Sequence, residues 1–295
     1  MAPDVTLAMA AWRPERAWLL EAVRSGLDNH GCDIELLVVD DGSPEPVADL
    51  LSDMTDPRLR VLRIEHAGTA AARNAGIEHA RGRMIRFLDA DDVVAPESTA
   101  RLASLIGDAQ DVIAYGTTVV CDEELRPLRS IGSELEGNVV VPCLLGRFDV
   151  RHVSMVFPRR VVEQAGHWAD GFAVSPDWDF VLRAVEHATV RRDREPATYY
   201  RRHASSQSKT AGVAEGERDR HRVLDGYFER HPEQRGSRLE RSARAAADLD
   251  RAAAYAAVGE RRLATQRLAR AARTAPIAAA QLGVRLMTRT ALKRG

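Results

Sequence analysis

The sequence predicts an α/β fold: an open, mixed, mainly parallel sheet flanked by helices, followed by a helical appendage. Three observations predict it. Continuous apolar runs alternate with helix-periodic segments through the N-terminal third, two of those runs end abruptly in acidic clusters, and from about Glu215 the composition shifts to alanine and arginine at helical spacing.

Val5 to Ala10 is the first apolar run, Trp18 to Asn29 has helical periodicity, and Ile34 to Val39 is a second run stopped by Asp40-Asp41-Gly42-Ser43-Pro44. A short helix is expected over Val47 to Met54, a strand over Leu59 to Ile64, a helix over Thr69 to Ala80 opened by Gly68, and a strand over Met84 to Leu88. Pro96 to Leu105 restarts a helix, Asp111 to Cys121 reads as a strand, and Gly132 to Phe157 as a loop-rich stretch with short strands. Arg159 to Ala165 and Asp177 to His187 have helical character, and Ala197 to Arg202 strand character. Residues 1–212 form the α/β domain, in halves meeting near residue 110, and residues 213–295 the appendage. Its helices are broken at Pro232, Gly236 and Pro276. Leu249 to Pro276 reads as two short helices around Gly259, and Ile277 to Leu292 as a further helix bearing Leu282, Arg285, Leu286 and Arg289. One helix pair cannot bury its apolar face alone, so packing on the α/β domain or on a second copy in a homodimer is expected.

With 295 residues, 45% apolar and 29% charged, the chain is long enough to bury a substantial core and too apolar for wholesale disorder. No uncharged stretch approaches the roughly 18 residues of a membrane span, and Met1 to Val5 lacks the character of a signal peptide, so a cytoplasmic location is expected. Cys32, Cys121 and Cys143 are odd in number and lack a C-x-x-C spacing, which argues against a disulfide framework and a thiolate zinc site. The net charge of -1 conceals an asymmetry: residues 216–295 carry +9 and residues 1–215 carry -10. From Arg261 onward no acid occurs, and this basic, part-apolar end either packs as a solvated helix or touches an anionic membrane face.

Asp89-Ala90-Asp91-Asp92 directly follows an apolar run. Neighbouring like charges disfavour joint ionisation unless a cation compensates, and hard oxygen ligands suit Mg²⁺ or Mn²⁺. In a D-x-D arrangement at a strand end the first and third side chains point the same way, which suits a metal that anchors a diphosphate. The competing reading is an acidic turn capping the next helix, a role that Asp92 fits best. A phosphoacceptor receiver domain needs a lysine at a later strand end, and none occurs before Lys209. Phe87 to Val93 also matches the apolar-D-x-D-x-V pattern of haloacid-dehalogenase-like phosphatases, whose motif ordinarily follows the first core strand rather than a later one.

Leu36-Leu37-Val38-Val39-Asp40-Asp41-Gly42-Ser43, then His66-Ala67-Gly68-Thr69-Ala70-Ala71-Ala72-Arg73-Asn74-Ala75-Gly76, then Phe87-Leu88-Asp89-Ala90-Asp91-Asp92 together resemble glycosyltransferase family 2, in its order and spacing. These are the inverting GT-A transferases that use nucleotide-diphosphate sugars. The similarity continues through Ser175-Pro176-Asp177-Trp178-Asp179-Phe180 and Tyr200-Arg201-Arg202-His203, covering residues 4–208. The resemblance implies Asp41, and with less weight Asp40, against the nucleobase, Asp91 on a divalent metal, and Asp89 on the ribose or the metal shell. Arg73 lies near the nucleotide, either in a structural ion pair or on a phosphate, while Asn74 and Gly76 shape the helix that carries it. His203, in a Y-R-x-H pattern, completes the metal or diphosphate site. Asp177 aligns with the family's catalytic base, although Pro176 replaces the usual glutamate before it. Asp179 projects about 200° away on the same helix and is left a structural part.

Where the family commonly has Pro-Thr-Tyr-Asn, this chain has Ala10-Ala11-Trp12-Arg13. Ala11 loses the hydroxyl that would meet the base, while Trp12 retains an aromatic surface. A uridine diphosphate sugar is the donor that the resemblance favours, with dTDP- and GDP-sugars open. The acceptor is a carbohydrate, a lipid-linked group or a small molecule, nucleic acid is not expected as a partner, and a lipid-linked acceptor would fit contact with the inner face of a membrane. A degenerate domain serving as a binding or scaffold subunit stands as the alternative, motivated by the altered 10–13 segment.

Overall fold

The computed structural model describes residues 3–203 and 212–276. The chain divides into two compact units, Met1–Val140, Phe148–Gly171 and Pro176–Ala204 in the first, and Val141–Arg147, Phe172–Ser175 and Ser205–Gly295 in the second. The helix expected over Ile277 to Leu292 lies outside the described residues. Among these residues no helix is long and apolar enough to cross a membrane.

The first unit is built on one sheet. β1 (Val5–Ala11), β2 (Ile34–Asp41), β3 (Leu59–Ile64) and β4 (Met84–Asp89) are parallel, in the order β3-β2-β1-β4. β5 (Val93–Val94), β6 (Val112–Cys121), β7 (Pro127–Ile131), β8 (Met155–Pro158) and β9 (Thr189–Arg201) extend it beyond β4 in the order β8-β6-β9-β5, with β7 beside β6. The result is a mixed sheet flanked by helices, as the sequence predicts. β2 is buried along its whole length, which is why it reads as an unbroken apolar run, whereas β3 at the edge alternates.

Helix α1 (Arg16–Leu27) buries Leu19, Ala22, Val23, Gly26 and Leu27, the i, i+3, i+4, i+7, i+8 stripe of a one-faced helix. Its first turn is closed by Glu15, whose carboxylate accepts the Trp18 N–H at 2.9 Å. That stripe packs with Val5, Leu7, Met9, Leu36 and Val38 on one sheet face. On the other face Leu37 and Val39 meet Ala72 and Ala75 of α3 (Thr69–His79). α3 lies close because Gly76 presents no side chain: a Cβ there would stand 3.2 Å from that of Ala8. After the short α2 (Val47–Leu50) and α3, the layers continue with α4 (Ser98–Ile106), α6 (Arg159–Ala165) and α7 (Pro176–Val185), while α5 (Val140–Leu144) belongs from Val141 onward to the second unit.

Wholly buried Arg86 ties β4 to its surroundings. It donates to the Ala197 carbonyl at 2.6 Å and to the hydroxyls of Thr99, Ser98 and Thr198 at 2.8, 3.0 and 3.0 Å. Burial without a carboxylate partner brings its pKa down to about 9.

β9 begins at Thr189, well before the expected Ala197. Its first half, Thr-Val-Arg-Arg-Asp-Arg-Glu-Pro, lacks an apolar run, yet it pairs in parallel with β6 while Asp193 takes Arg101 at 2.8 Å and Arg191 donates to the Leu105 carbonyl. Tertiary partners here override local preference.

The second unit contains α8 (Val213–Arg230), α9 (Arg238–Ala257) and α10 (Arg261–Thr274). α9 is a full helix starting at Arg238, not a short one starting at Leu249. Its start is a Ser-x-x-Glu cap: Ser237 accepts the Glu240 N–H at 3.2 Å, and Glu240 reaches back to the Gly236 N–H at 2.6 Å. Ala245, Leu249 and Ala271 cluster between α9 and α10, which turn about Gly259 at φ 84°. Asp219 on α8 accepts the backbone N–H groups of Ala173, Val174 and Ser175 at 2.9, 2.6 and 3.1 Å.

Candidate active site

The order β3-β2-β1-β4 makes β1 the point from which the chain departs in both directions, so a crevice opens at the carboxyl ends of β1 and β4. The register sets Ala10 beside Asp89 and Ala11 beside Asp40, which brings the predicted strand-end residues into one row.

Asp40 and Asp41 are both buried at the end of β2. Asp40 accepts from Ser43 N–H at 2.8 Å, Val47 N–H at 3.2 Å and Arg63 at 2.8 Å, so its oxygens hold the following loop together. Asp41 accepts from the N–H groups of Ala67 and Gly68 at 2.8 and 2.9 Å, beside the start of α3, and meets His66 Nδ1 at 2.9 Å. Gly42 is required between them: its φ is +65°, and a Cβ would stand 2.7 Å from the His66 nitrogen. His66, so fixed, stacks on Trp12 with ring centroids 4.8 Å apart and planes 16° off parallel. Trp12 is 47% exposed, leaving an aromatic surface at the mouth of the crevice.

At the end of β4 the three carboxylates have different partners. Asp89 takes the Arg73 guanidinium at 2.8 Å, and Arg73 also lies over the Trp168 ring at 4.4 Å. Asp91 meets His203 Nε2 at 2.7 Å, and His203 packs against Trp18. Asp92, buried, accepts the Arg201 N–H at 2.9 Å through one oxygen while the other has no partner. It does not cap α4, whose N-cap, Glu97, makes no side-chain bond. Burial would raise the Asp89 carboxyl, but Arg73 outweighs it and holds the group below the usual value. Asp91 is raised by burial and by repulsion from Asp89, against the pull of His203, and Asp92 is raised further by burial and both neighbours. The cluster therefore holds more negative charge than its protein partners compensate.

Asp177 sits in the first turn of α7, where it accepts the Trp178 N–H at 2.9 Å and takes Arg151 at 3.2 Å. Burial would raise its carboxyl, but Arg151, with His152 and Arg73, holds it low, so it is ionised at neutral pH. Asp179 faces away and pairs with Arg183 one turn on, at 2.7 Å. Asn74 exchanges two hydrogen bonds with the Trp168 backbone, at 2.7 and 3.1 Å, fixing the indole under Arg73. His66, Arg151, His152, Trp168 and Arg201 were not expected at the site; Arg151-His152 falls in the loop-rich stretch, where no periodicity or motif marks it.

The donors at the β4 end fit a divalent cation: Asp91 and His203 offer a hard oxygen and an imidazole nitrogen side by side, in a cluster short of positive charge. Asp89 is turned to Arg73 instead. A second grouping, Glu217, His221 and Asp248, has candidate ligand atoms within 4.8 Å of one another, but Arg267 and Arg270 already lie against its carboxylates.

Residues 13–149 match the model of glycosyl transferase family 2. The succinoglycan biosynthesis protein ExoO of Rhizobium meliloti is 37% identical over 128 residues, 43% of this chain and 36% of that one. An uncharacterized glycosyltransferase of Haemophilus influenzae is 30% identical over 132 residues, 44% of this chain and 52% of that one. The matched stretch thus spans about a third to a half of the length of these relatives. In fold, the chain is similar to S. aureus TarS 1-349, solved in complex with UDP-GlcNAc, with a TM-score of 0.62 at 13% identity, over 92% of this chain and 91% of that one. Sheet order and strand-end motifs agree with that match, and residues 13–149 of this chain are similar to glycosyltransferase family 2.

Proposed function

We propose that the chain transfers a sugar from a nucleotide-diphosphate donor to an acceptor hydroxyl with inversion at the anomeric carbon. The observation that carries this reading is the pairing of a charge-rich strand end with a separate ionised base: Asp89 and Asp177 both lie in the field of Arg73 and His152. One carboxylate group thus faces the leaving diphosphate and another the incoming hydroxyl. Trp12 and His66 offer the nucleobase a stacking surface, with Ala11 beside them and Asp40 and Asp41 holding the loop that builds it. The structure of similar fold holds UDP-GlcNAc, which supports a uridine diphosphate sugar as the donor class.

Asp91 and His203, with Asp89 alongside, would hold a Mn²⁺ or Mg²⁺ ion. Such an ion supplies Lewis-acid compensation for charge that develops on the diphosphate. Arg73 keeps Asp89 ionised and oriented. Asp177 takes the acceptor proton as the acceptor oxygen bonds to the anomeric carbon and the bond from that carbon to the diphosphate oxygen breaks, a contribution of about 10²–10⁴ in rate. A single displacement leaves the product inverted. Incubation of the full chain with Mn²⁺ and a panel of UDP-, dTDP- and GDP-sugars, reading nucleoside diphosphate release, tests this. Release from one member is expected, and folded protein inert toward all of them would defeat the proposal.

A further inference from the structure

In the second unit, α8, α9 and α10 each bring charged side chains to one buried cluster whose ion pairs are poorly made. Glu217 and His221 stand one turn apart on α8 and so share a face, and Asp248 reaches them from α9. The candidate ligand atoms of the three lie within 4.8 Å of one another. Tyr255 Oη and an Arg267 terminal nitrogen donate to Glu217 Oε2 at 2.9 and 3.1 Å, while Oε1 stands 3.9 Å from His221 Nε2, too far for a hydrogen bond.

Asp248 is 1% exposed, and neither of its carboxylate oxygens has a hydrogen-bond partner. Arg270 Nε comes within 3.4 Å of Oδ2 without forming a hydrogen bond, from a side chain 48% exposed that is free to turn into water. Arg267 Nε lies against Glu217 Oε1, again without a hydrogen bond. Burial raises the Asp248 carboxyl against the pull of Arg270, His221 and Arg267, so the two guanidinium groups do not compensate this carboxylate. Carboxylates buried in proteins are paired through hydrogen bonds or bind metal, and Asp248 lacks the hydrogen bonds.

We propose that Glu217, His221 and Asp248 form a zinc site that ties α8 to α9. Two carboxylate oxygens and one imidazole nitrogen suit Zn²⁺, which accepts both ligand types, better than an all-oxygen cation such as Mg²⁺ or Ca²⁺. Ligand atoms about 2.0–2.2 Å from a shared ion stand about 3–3.5 Å apart, so the three side chains close on the ion by small rotations. Arg270 swings outward as Asp248 turns to the metal, Arg267 Nε gives up its contact with Oε1, and Tyr255 with the Arg267 terminal nitrogen keeps Glu217 oriented through Oε2. The unit has use for such a tie. Its apolar cluster between α9 and α10 is Ala245, Leu249 and Ala271, mostly small side chains that bury little area.

The test uses the full chain stripped with chelator, in an Asp91→Asn background that weakens zinc binding at the strand-end carboxylates. Zinc binding is read by isothermal titration calorimetry and bound metal content, and folding by thermal unfolding. The expected result is one zinc per chain with a rise in Tm, and zinc binding at least about tenfold weaker in His221→Ala and in Asp248→Asn. Arg270→Gln, a change in an exposed side chain that leaves the fold intact, should bind zinc more tightly, because the ion no longer competes with the guanidinium for Asp248. A purely structural ion-pair network would lose stability in Arg270→Gln with no gain in zinc affinity, and that outcome overturns the proposal. So does an Asp91→Asn chain that takes up no zinc, or one whose zinc binding is the same with His221 and Asp248 replaced. None of these readouts depends on sugar transfer, so the transferase reading stands or falls separately.

Discussion

Arg151 and Asp177, 26 residues apart in sequence, form an ion pair of 3.2 Å that keeps the carboxylate ionised although burial opposes it. Removing the guanidinium leaves burial to dominate, so Arg151→Gln raises the Asp177 pKa. The acid limb of the pH–kcat profile should therefore move to higher pH than in wild type. For stability the sign is the same: a depressed folded pKa contributes above the ordinary carboxyl value near 3.8 and is lost as pH falls through the folded value, and the variant forgoes that contribution. Coincident acid limbs in the two proteins would count against the pair's role.

Asp177→Asn keeps the shape of the first turn of α7 and removes the proposed proton acceptor. Transfer should fall by about 10²–10⁴ with the protein still folded by circular dichroism. Turnover close to wild type would assign the base elsewhere.

Asp91 carries charge that its surroundings do not fully compensate. Metal-free Asp91→Asn should therefore unfold at a higher temperature than metal-free wild type, while the gain in Tm on adding Mn²⁺ and UDP disappears. Chelation should remove that same gain from wild type. Thermal shift with and without chelator measures both, and a ligand response indifferent to Mn²⁺ would remove Asp91 and His203 from the metal site.

Trp12→Ala deletes a ring that is 47% exposed, so Tm should hardly move. Loss of a stacking surface for the nucleobase should weaken nucleotide binding by about 1–3 kcal/mol. The expected kinetic signature is a raised donor KM at nearly constant kcat, and unchanged KM would place the base away from the Trp12–His66 pair.

Local sequence alone determined the parallel half of the sheet. β3 and α6 occupy Leu59–Ile64 and Arg159–Ala165 with the expected bounds, since an alternating edge strand and a one-faced helix carry their pattern in consecutive side chains. It also marked Asp89, Asp91, Asp177 and His203, because a run of acids after an apolar strand, or an ordered set of motifs, is visible without coordinates. Only the tertiary structure decided what those groups touch. Asp91 meets His203 from 112 residues away, and Asp89 turns to Arg73. The charged start of β9 becomes a strand beside β6. Arg151 acquires its partner only once α7 brings Asp177 to it. Periodicity records which face of an element is buried, whereas the charge and orientation of a side chain depend on the field of distant neighbours, and that field exists only after the chain has folded.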